Sequence, residues 1–301
     1  MTATVQAIYQ AVREEVVGRE REITSILAAI SAGRDLLLEG PPGIGKSTIL
    51  RTITRHYDIP LVLVEGNADL TPAKLIGYHN PAQVVRHGYR PEDFVPGPLP
   101  DAMQRGGFLY IEEFNRVPED TLNTLLTAMA EREITIPRVG TLRALPTFRI
   151  VAAMNPFDNV GTARISISIY DRLCRLAMGY QSEEEERQIV ALRTGSDATR
   201  LIEAAVAITR ATREHPEARL GSSVRGAIDL VLVAHQLAEI RGTPLNGDGA
   251  RFEDVLLEAA SLALSSKISL HETTERTPED VIREIVAGIV PEAVGASKDG
   301  E

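Results

Sequence analysis

A single cysteine, Cys174, no tryptophan and a 4% share of aromatic residues are what this 301-residue sequence most conspicuously runs short of. One thiol excludes an internal disulfide framework and any zinc site built on several thiolates, and it fits a reducing compartment, so a cytoplasmic location is expected. Sparse aromatics leave few platforms on which single-stranded bases would stack. Long apolar runs are missing as well. Nothing approaches the ~18 consecutive apolar residues of a membrane helix, and Met1 to Gly18 lack a basic start followed by an apolar stretch. No membrane span and no targeting segment are expected. Positive charge is in deficit too: 32 Lys and Arg face 42 Asp and Glu, and the formal charge of −10 argues against a basic coat for nucleic acid or membrane. The histidines, His56, His79, His87, His215, His235 and His271, are scattered without metal-ligand spacing, so no zinc site is expected.

With 44% apolar and 25% charged residues the chain can bury a sizeable core, and its length favours two domains. Over residues 1–180, short unbroken apolar runs alternate with helix-like stripes, the pattern of a parallel sheet covered by helices on both faces. The expected strands are Asp35 to Glu39, Leu61 to Glu65, Phe108 to Glu112, Phe148 to Met154 and Cys174 to Gly179, the last placing Cys174 in a buried strand. Two segments interrupt the alternation, Ala82 to Pro100 and Arg132 to Pro146, and both read as inserted hairpins or loops. After Tyr180 the character changes. Ser182 with Glu185 three residues on reads as a capping box, and helical stripes dominate residues 181–301, with Thr277 and Asp280 capping a late helix and Gly295 to Glu301 as a frayed tail. The expectation is an α/β nucleotide-binding domain over 1–180 followed by a smaller all-helical lid over 181–301.

Gly40, Pro41, Pro42, Gly43, Ile44, Gly45, Lys46 and Ser47 match the phosphate-loop pattern G-x-x-x-x-G-K-[ST] in full, directly after one strand and before a helical run that continues through Thr48. The glycines let backbone N–H groups turn inward around phosphates, Lys46 reaches the β and γ oxygens, and Ser47 offers a hydroxyl to Mg²⁺. Hydrolysis needs more than this loop. The strand Phe108 to Glu112 ends in two acids, which places Glu112 to hold Mg²⁺ through water and Glu113 to polarise the attacking water, at the sheet edge where ligands of open α/β sheets gather. Asn155, closing the next strand before Pro156, is a polar amide at that same edge. It is suited to orienting the water or sensing the γ-phosphate.

These residues, in this order, resemble the MoxR family of AAA+ ATPases, in the clade with a helix-2 insert and a pre-sensor hairpin that also holds magnesium-chelatase ATPase subunits. The resemblance runs through Val17-Gly18-Arg19-Glu20, the phosphate loop, Pro96-Gly97-Pro98-Leu99, Glu113-Phe114-Asn115-Arg116-Val117-Pro118, Ala128-Met129-Ala130-Glu131-Arg132 and Asn155-Pro156. It implies a P-loop AAA+ core with a helical lid, ATP and Mg²⁺ as cofactors, and nucleotide contacts from Val17 and Gly18. A homo-oligomeric ring, hexameric by resemblance, is implied as well, with a protein partner carrying a von Willebrand factor A domain that the ring remodels or matures. Asp171-Arg172 is similar to the segment whose arginine reaches the neighbouring subunit's nucleotide, with Arg116, Arg164 and Arg175 as competitors. Ser222-Ser223-Val224-Arg225 is similar to the family's sensor 2. Both Arg172 and Arg225 would stabilise charge on the γ-phosphate. Two residues depart from the family pattern: Glu112 stands where an aspartate is usual, and Leu173 where a phenylalanine is usual. Slow ATPase activity is expected. Two other readings stay open: a nucleic-acid motor, since Arg132, Arg138, Arg143 and Arg149 cluster near the hairpin, and a nucleotide-gated binding module with negligible hydrolysis, because of Glu112.

Overall fold

A computed structural model describes residues 4–156, 165–245 and 250–289, so Arg164 and the expected tail from Gly295 lie outside the described residues. The chain divides into two compact units, Met1–Gly179 and Tyr180–Glu301.

In the first unit, Thr4 caps α1 (Val5–Glu15) by accepting from the Ala7 N–H at 3.2 Å, and the helix buries Ile8 and Val12, four residues apart on one face. Helix α2 (Glu20–Ser31) buries Ile23, Ile26, Leu27 and Ile30 at the same spacing. Then come β1 (Asp35–Glu39), α3 (Lys46–Tyr57), β2 (Leu61–Glu65), α4 (Pro72–Ile76), β3 (Gly77–His79), α5 (Pro81–His87), β4 (Phe94–Pro96), α6 (Pro98–Arg105) and β5 (Phe108–Glu112). The unit continues through α7 (Glu119–Glu131), β6 (Glu133–Ile136), β7 (Gly140–Arg143), β8 (Arg149–Met154), α8 (Ile167–Tyr170) and β9 (Leu173–Ala177). Five strands form one parallel sheet in the order β2-β5-β8-β1-β9. Its apolar core joins Leu37, Leu109, Ile111, Ile150 and Ala152 of the sheet to Leu122, Leu125 and Met129 of α7.

Coverage on both faces holds for the central strands, where β1 is buried throughout and β5 and β8 nearly so. The outer strand β9 differs. Leu173 and Leu176 are buried, whereas Cys174, Arg175 and Ala177 are exposed, so Cys174 is a surface thiol and the expectation of a buried one is corrected. A strand with a single neighbour has an open flank, so side chains on either of its faces can reach solvent.

The segment Ala82 to Pro100 is not a simple hairpin. Asn80 accepts from the Ala82 N–H at 3.0 Å, Pro81 opens α5, and the short strands β3 and β4 pair antiparallel around it. Pro98 opens α6 in the same way. Arg132 to Pro146 does form a hairpin, β6 against β7, with Arg138 and Gly140 at φ +65° and +115° in its turn. Its base is anchored across the sheet. Arg132 donates bidentately to the buried Asp35 at 3.1 and 2.8 Å, and the Ile150 N–H donates to the same carboxylate at 2.8 Å.

The second unit holds α9 (Glu183–Thr194), α10 (Thr199–Glu214), β10 (Ala218–Leu220), α11 (Val224–Arg241), α12 (Ala250–Leu264), β11 (Ser269–Leu270) and α13 (Pro278–Ile289). Its helices enclose their own core, including Leu201, Ala205, Leu230, Val231, Leu256 and Ile282. The capping box is present: Glu185 N–H donates to Ser182 Oγ at 3.3 Å and Ser182 N–H to Glu185 Oε2 at 2.8 Å. Thr277 and Asp280 cap α13 in the same reciprocal way. Among the described residues the departure from an all-helical lid is the short antiparallel pairing of β10 with β11, too brief to leave an alternation in the sequence.

Candidate functional site

The site grows from the carboxyl edge of the sheet, where β1 hands over to the phosphate loop. Gly40 N–H donates to the Met154 carbonyl at 3.1 Å and Met178 N–H to the Glu39 carbonyl at 2.8 Å, so the loop leaves between β8 and β9. Gly40 admits no side chain there, because a Cβ would stand 2.3 Å from the Met178 carbonyl oxygen. Gly43 and Gly45 adopt φ of +76° and +92°, values that residues with a Cβ rarely reach. A Cβ on Gly45 would meet nothing within 4 Å, so this side of the loop is open.

Helix α3 starts at Lys46 without a side-chain cap. The backbone N–H groups of Lys46, Ser47 and Thr48 therefore sit in a first turn with no intrahelical acceptor, at the positive end of the helix dipole. Lys46 Nζ donates to the carbonyls of Gly40 at 2.7 Å and Pro41 at 2.8 Å, which holds the ammonium over the loop. Pro41 and Ile44 are buried beneath it.

Glu112 ends β5 opposite Glu65 of β2, and its Oε1 accepts from the Ser47 hydroxyl. Lys46, Ser47 and Glu112 are thus brought together by two elements that touch at the sheet edge. Glu113 follows at φ +50°, a left-handed backbone that is strained for a residue with a side chain. Gly66 makes room for this turn: its N–H donates to the Glu112 carbonyl at 2.8 Å, and a Cβ would lie 2.5 Å from the Glu113 carbonyl. The Glu113 carboxylate lies 3.3 Å from Arg116 Nε. Asn155 directly follows Met154, the residue that accepts from Gly40, and so enters the edge beside the loop.

Val17 and Gly18 reach the loop through a residue whose role the sequence motifs left unassigned. Arg19, buried and at φ +65°, donates to the Ile44 carbonyl at 3.2 Å and the Gly179 carbonyl at 2.7 Å while pairing with Glu22 at 3.0 Å. Tyr110 is another such residue. Its phenol is fully buried 3.2 Å from Ser47 Oγ, and burial, reinforced by the neighbouring Glu112 charge, pushes it well above the ordinary tyrosine range. Glu39, buried at the mouth of the loop, accepts from Arg175 Nε at 2.5 Å. The pairing ties Arg175 to the strand that feeds the loop.

Arg172 is elsewhere. It precedes β9, whose Leu173 pairs in register with Asp35 at the start of β1, and its guanidinium donates to the Ser168 carbonyl at 2.7 Å. At about 3.3 Å per residue, the length of β1 puts some 16 Å of strand between this position and Gly40. The fold does not bring Arg172 to its own chain's loop.

Residues 35–173 match the family model of the AAA domain, dynein-related subfamily. The chain is 28% identical to the chaperone MoxR1 of Mycobacterium tuberculosis over 79% of its own length and 69% of that protein's. It is 29% identical to the gas vesicle ATPase GvpN2 of Halobacterium salinarum over 86% of this chain and 75% of that one. The chain thus carries an AAA ATPase domain and is similar to MoxR-type ATPases. Its fold is similar to a crystal structure of a candidate ATPase from Cytophaga hutchinsonii, at TM-score 0.53 and 22% identity over 94% of this chain and 93% of that one. A Thermotoga maritima RuvB branch migration motor shares the fold at TM-score 0.53 and 17% identity, covering 82% of this chain and 70% of that one. Arg225 stands exposed on the first turn of α11, within the second unit. Among the described residues no three His, Cys, Asp or Glu gather as a metal cluster, and no helix is long and apolar enough to cross a membrane.

Proposed function

We propose that this chain acts as a MoxR-type ATPase, hydrolysing ATP with Mg²⁺ at the carboxyl edge of its sheet, in a site completed by Arg172 of an adjacent copy in a ring. The observation that carries this reading is the convergence of Lys46, Ser47 and Glu112 on one open glycine loop, with Arg172 some 16 Å along the strand from it.

The residues fit the nucleotide and the ion. An uncapped helix start, two left-handed glycines and an ammonium held over the loop form a cradle of donors for a polyphosphate. The Ser47 hydroxyl and the Glu112 carboxylate meet where oxygen ligands for a hard divalent cation belong. Mg²⁺, when bound, would be held by Ser47 and, through water, by Glu112, and would neutralise charge on the phosphates. The chain's residues do the rest. Lys46 and the α3 N–H groups bind and orient the phosphates, Glu113 takes a proton from the attacking water, and Asn155 aims that water. Arg172 from the neighbouring copy meets charge developing on the γ-phosphate. Val17 and Gly18 contact the nucleotide base side of the cradle, fastened by Arg19. A single chain then turns over poorly. ATPase activity per subunit is expected to fall on dilution into the monomeric range, and activity that stays flat in a demonstrably monomeric sample would refute the shared site.

The work done by turnover is chaperone-like remodelling or maturation of a partner protein in the cytoplasm, a reading supported by the relation to a protein named as a chaperone and to one named as a gas vesicle ATPase. Six copies to the ring and a partner with a von Willebrand factor A domain follow from the same resemblance. Capture from the native cell with an ATP-locked Glu113→Gln chain tests the partner, and recovery of no such protein counts against it. The nucleic-acid reading loses its main support. Arg132 pairs with Asp35, Arg143 with Glu133, Arg149 with the carbonyls of Pro146 and Phe148, and Arg138 lies 4.4 Å over the Tyr89 ring. A binding module without turnover keeps one observation in its favour, the direct contact of Ser47 with Glu112. A large gain of activity in Glu112→Asp would support it.

A further inference from the structure

We propose that Tyr110 is a positioning residue of the metal site, its phenol holding the Ser47 hydroxyl against the Glu112 carboxylate so that a glutamate serves where a shorter acid would otherwise be needed; this rests on reading the site as one for a nucleotide with Mg²⁺. Tyr110 and Glu112 are two apart in β5, so their side chains leave the same face of the strand. That face meets the first turn of α3. The phenol oxygen is 3.2 Å from Ser47 Oγ, and Ser47 donates to Glu112 Oε1, so the phenol adjoins the carboxylate through the serine hydroxyl. Three hydroxyl and carboxylate groups from two elements therefore close on one another at the place where the ion is expected.

The core does not need this hydroxyl. Phe108, Leu109 and Ile111 fill the rest of β5 with apolar side chains, and a phenylalanine at 110 would occupy nearly the same volume. A fully buried hydroxyl is costly unless paired, and here its partner is Ser47, which in turn donates to Glu112, the other residue assigned to the ion. Glutamate has one more rotatable bond than aspartate and so more conformations to lose on being fixed. The phenol, by fixing the Ser47 hydroxyl, limits those conformations. Tyr110 is fully buried behind Ser47 and acts through Ser47 and Glu112.

Binding of a fluorescent ADP analogue, with Mg²⁺ and with EDTA, tests this in the full chain, in Tyr110→Phe, in Glu112→Asp and in the double variant. Tyr110→Phe is expected to cut the Mg²⁺-dependent gain in affinity by about three- to tenfold, one hydrogen bond's worth, and to leave the metal-free affinity within about twofold. In the Glu112→Asp background, where the shorter carboxylate stands back from the phenol, the same change is expected to matter by less than about twofold. A Mg²⁺-dependent gain that is unchanged in Tyr110→Phe, or an equal loss in both backgrounds, would overturn the proposal and leave Tyr110 a packing residue. A variant that is merely misfolded loses affinity with and without the ion alike, and thermal melting of each variant identifies it. Glu112→Asp read alone then decides, since the proposal requires the aspartate to hold the ion without help from the phenol, and a loss of the Mg²⁺-dependent gain there would overturn it. Failure of the functional reading looks different: the unaltered chain would then show no Mg²⁺-dependent gain at all.

Discussion

Glu113 stands at φ +50° with its carboxylate against Arg116, one residue beyond a fully paired strand, and this single position concentrates the chemistry proposed for the chain. Left-handed backbone at a side-chain-bearing residue costs on the order of 1–3 kcal/mol and persists only where its surroundings enforce it, here the side-chain-free Gly66. Glu113→Gln keeps the shape and removes the base, so nucleotide affinity is expected to stay within about threefold while turnover falls about 10²-fold or more. Retained turnover in a steady-state phosphate-release assay would remove Glu113 from its role. Much at this scale was legible beforehand. The phosphate loop, the acid pair and Asn155 announce themselves because the chemistry demands given residue types at close spacing. Tyr110 and Arg19 do not, since their partners lie 63 and 160 residues away in the chain and only folding makes the contact.

Among the elements, the hairpin of β6 and β7 is tied to the sheet by one ion pair. Burial pushes the Asp35 carboxyl above its ordinary range, with the Arg132 charge and the Ile150 N–H pulling the other way. A raised folded-state value means that the contribution of Asp35 to stability is present below the unfolded value and lost as the pH rises through the folded one. Arg132→Ala removes the strongest opposing influence, raises the carboxyl further and leaves a buried charge without its partner. The variant is expected to lose about 2–4 kcal/mol near neutral pH, the figure for a broken buried pair reduced for the part-exposed arginine. The deficit is expected to shrink towards about pH 4, near the ordinary carboxylate value, where the buried group takes up a proton. Urea unfolding at both pH values checks this, and an equal deficit at each would contradict it. Elements were legible where periodicity is long, as in α7, or where caps are explicit, as at Ser182. They were misread where the signal is local. Proline at Pro81 and Pro98 opens helices as well as turns, and the apolar run of β9 does not reveal that the strand lies at the sheet's edge.

At the scale of the whole molecule, the sheet separates two things that the proposed shared site requires together. The phosphate loop and acid pair occupy its carboxyl edge, while Arg172 lies beside the beginning of β1 at the other. Along the chain the first compact unit ends at Gly179 and the second begins at Tyr180. What no single chain reveals is how copies associate, because the contacts that would specify a ring belong to two molecules at once. The proposed head-to-tail ring would bring the Arg172 of one copy to the loop of the next, so that two differently disabled chains would repair one another at their shared boundary. The direct measurement is ATP turnover after mixing equal amounts of Glu113→Gln and Arg172→Ala chains, each inactive alone. Activity is expected to return to about one interface in four, where an intact Glu113 faces an intact Arg172. A mixture as inactive as its components, in a sample shown to contain mixed assemblies, would contradict the shared site.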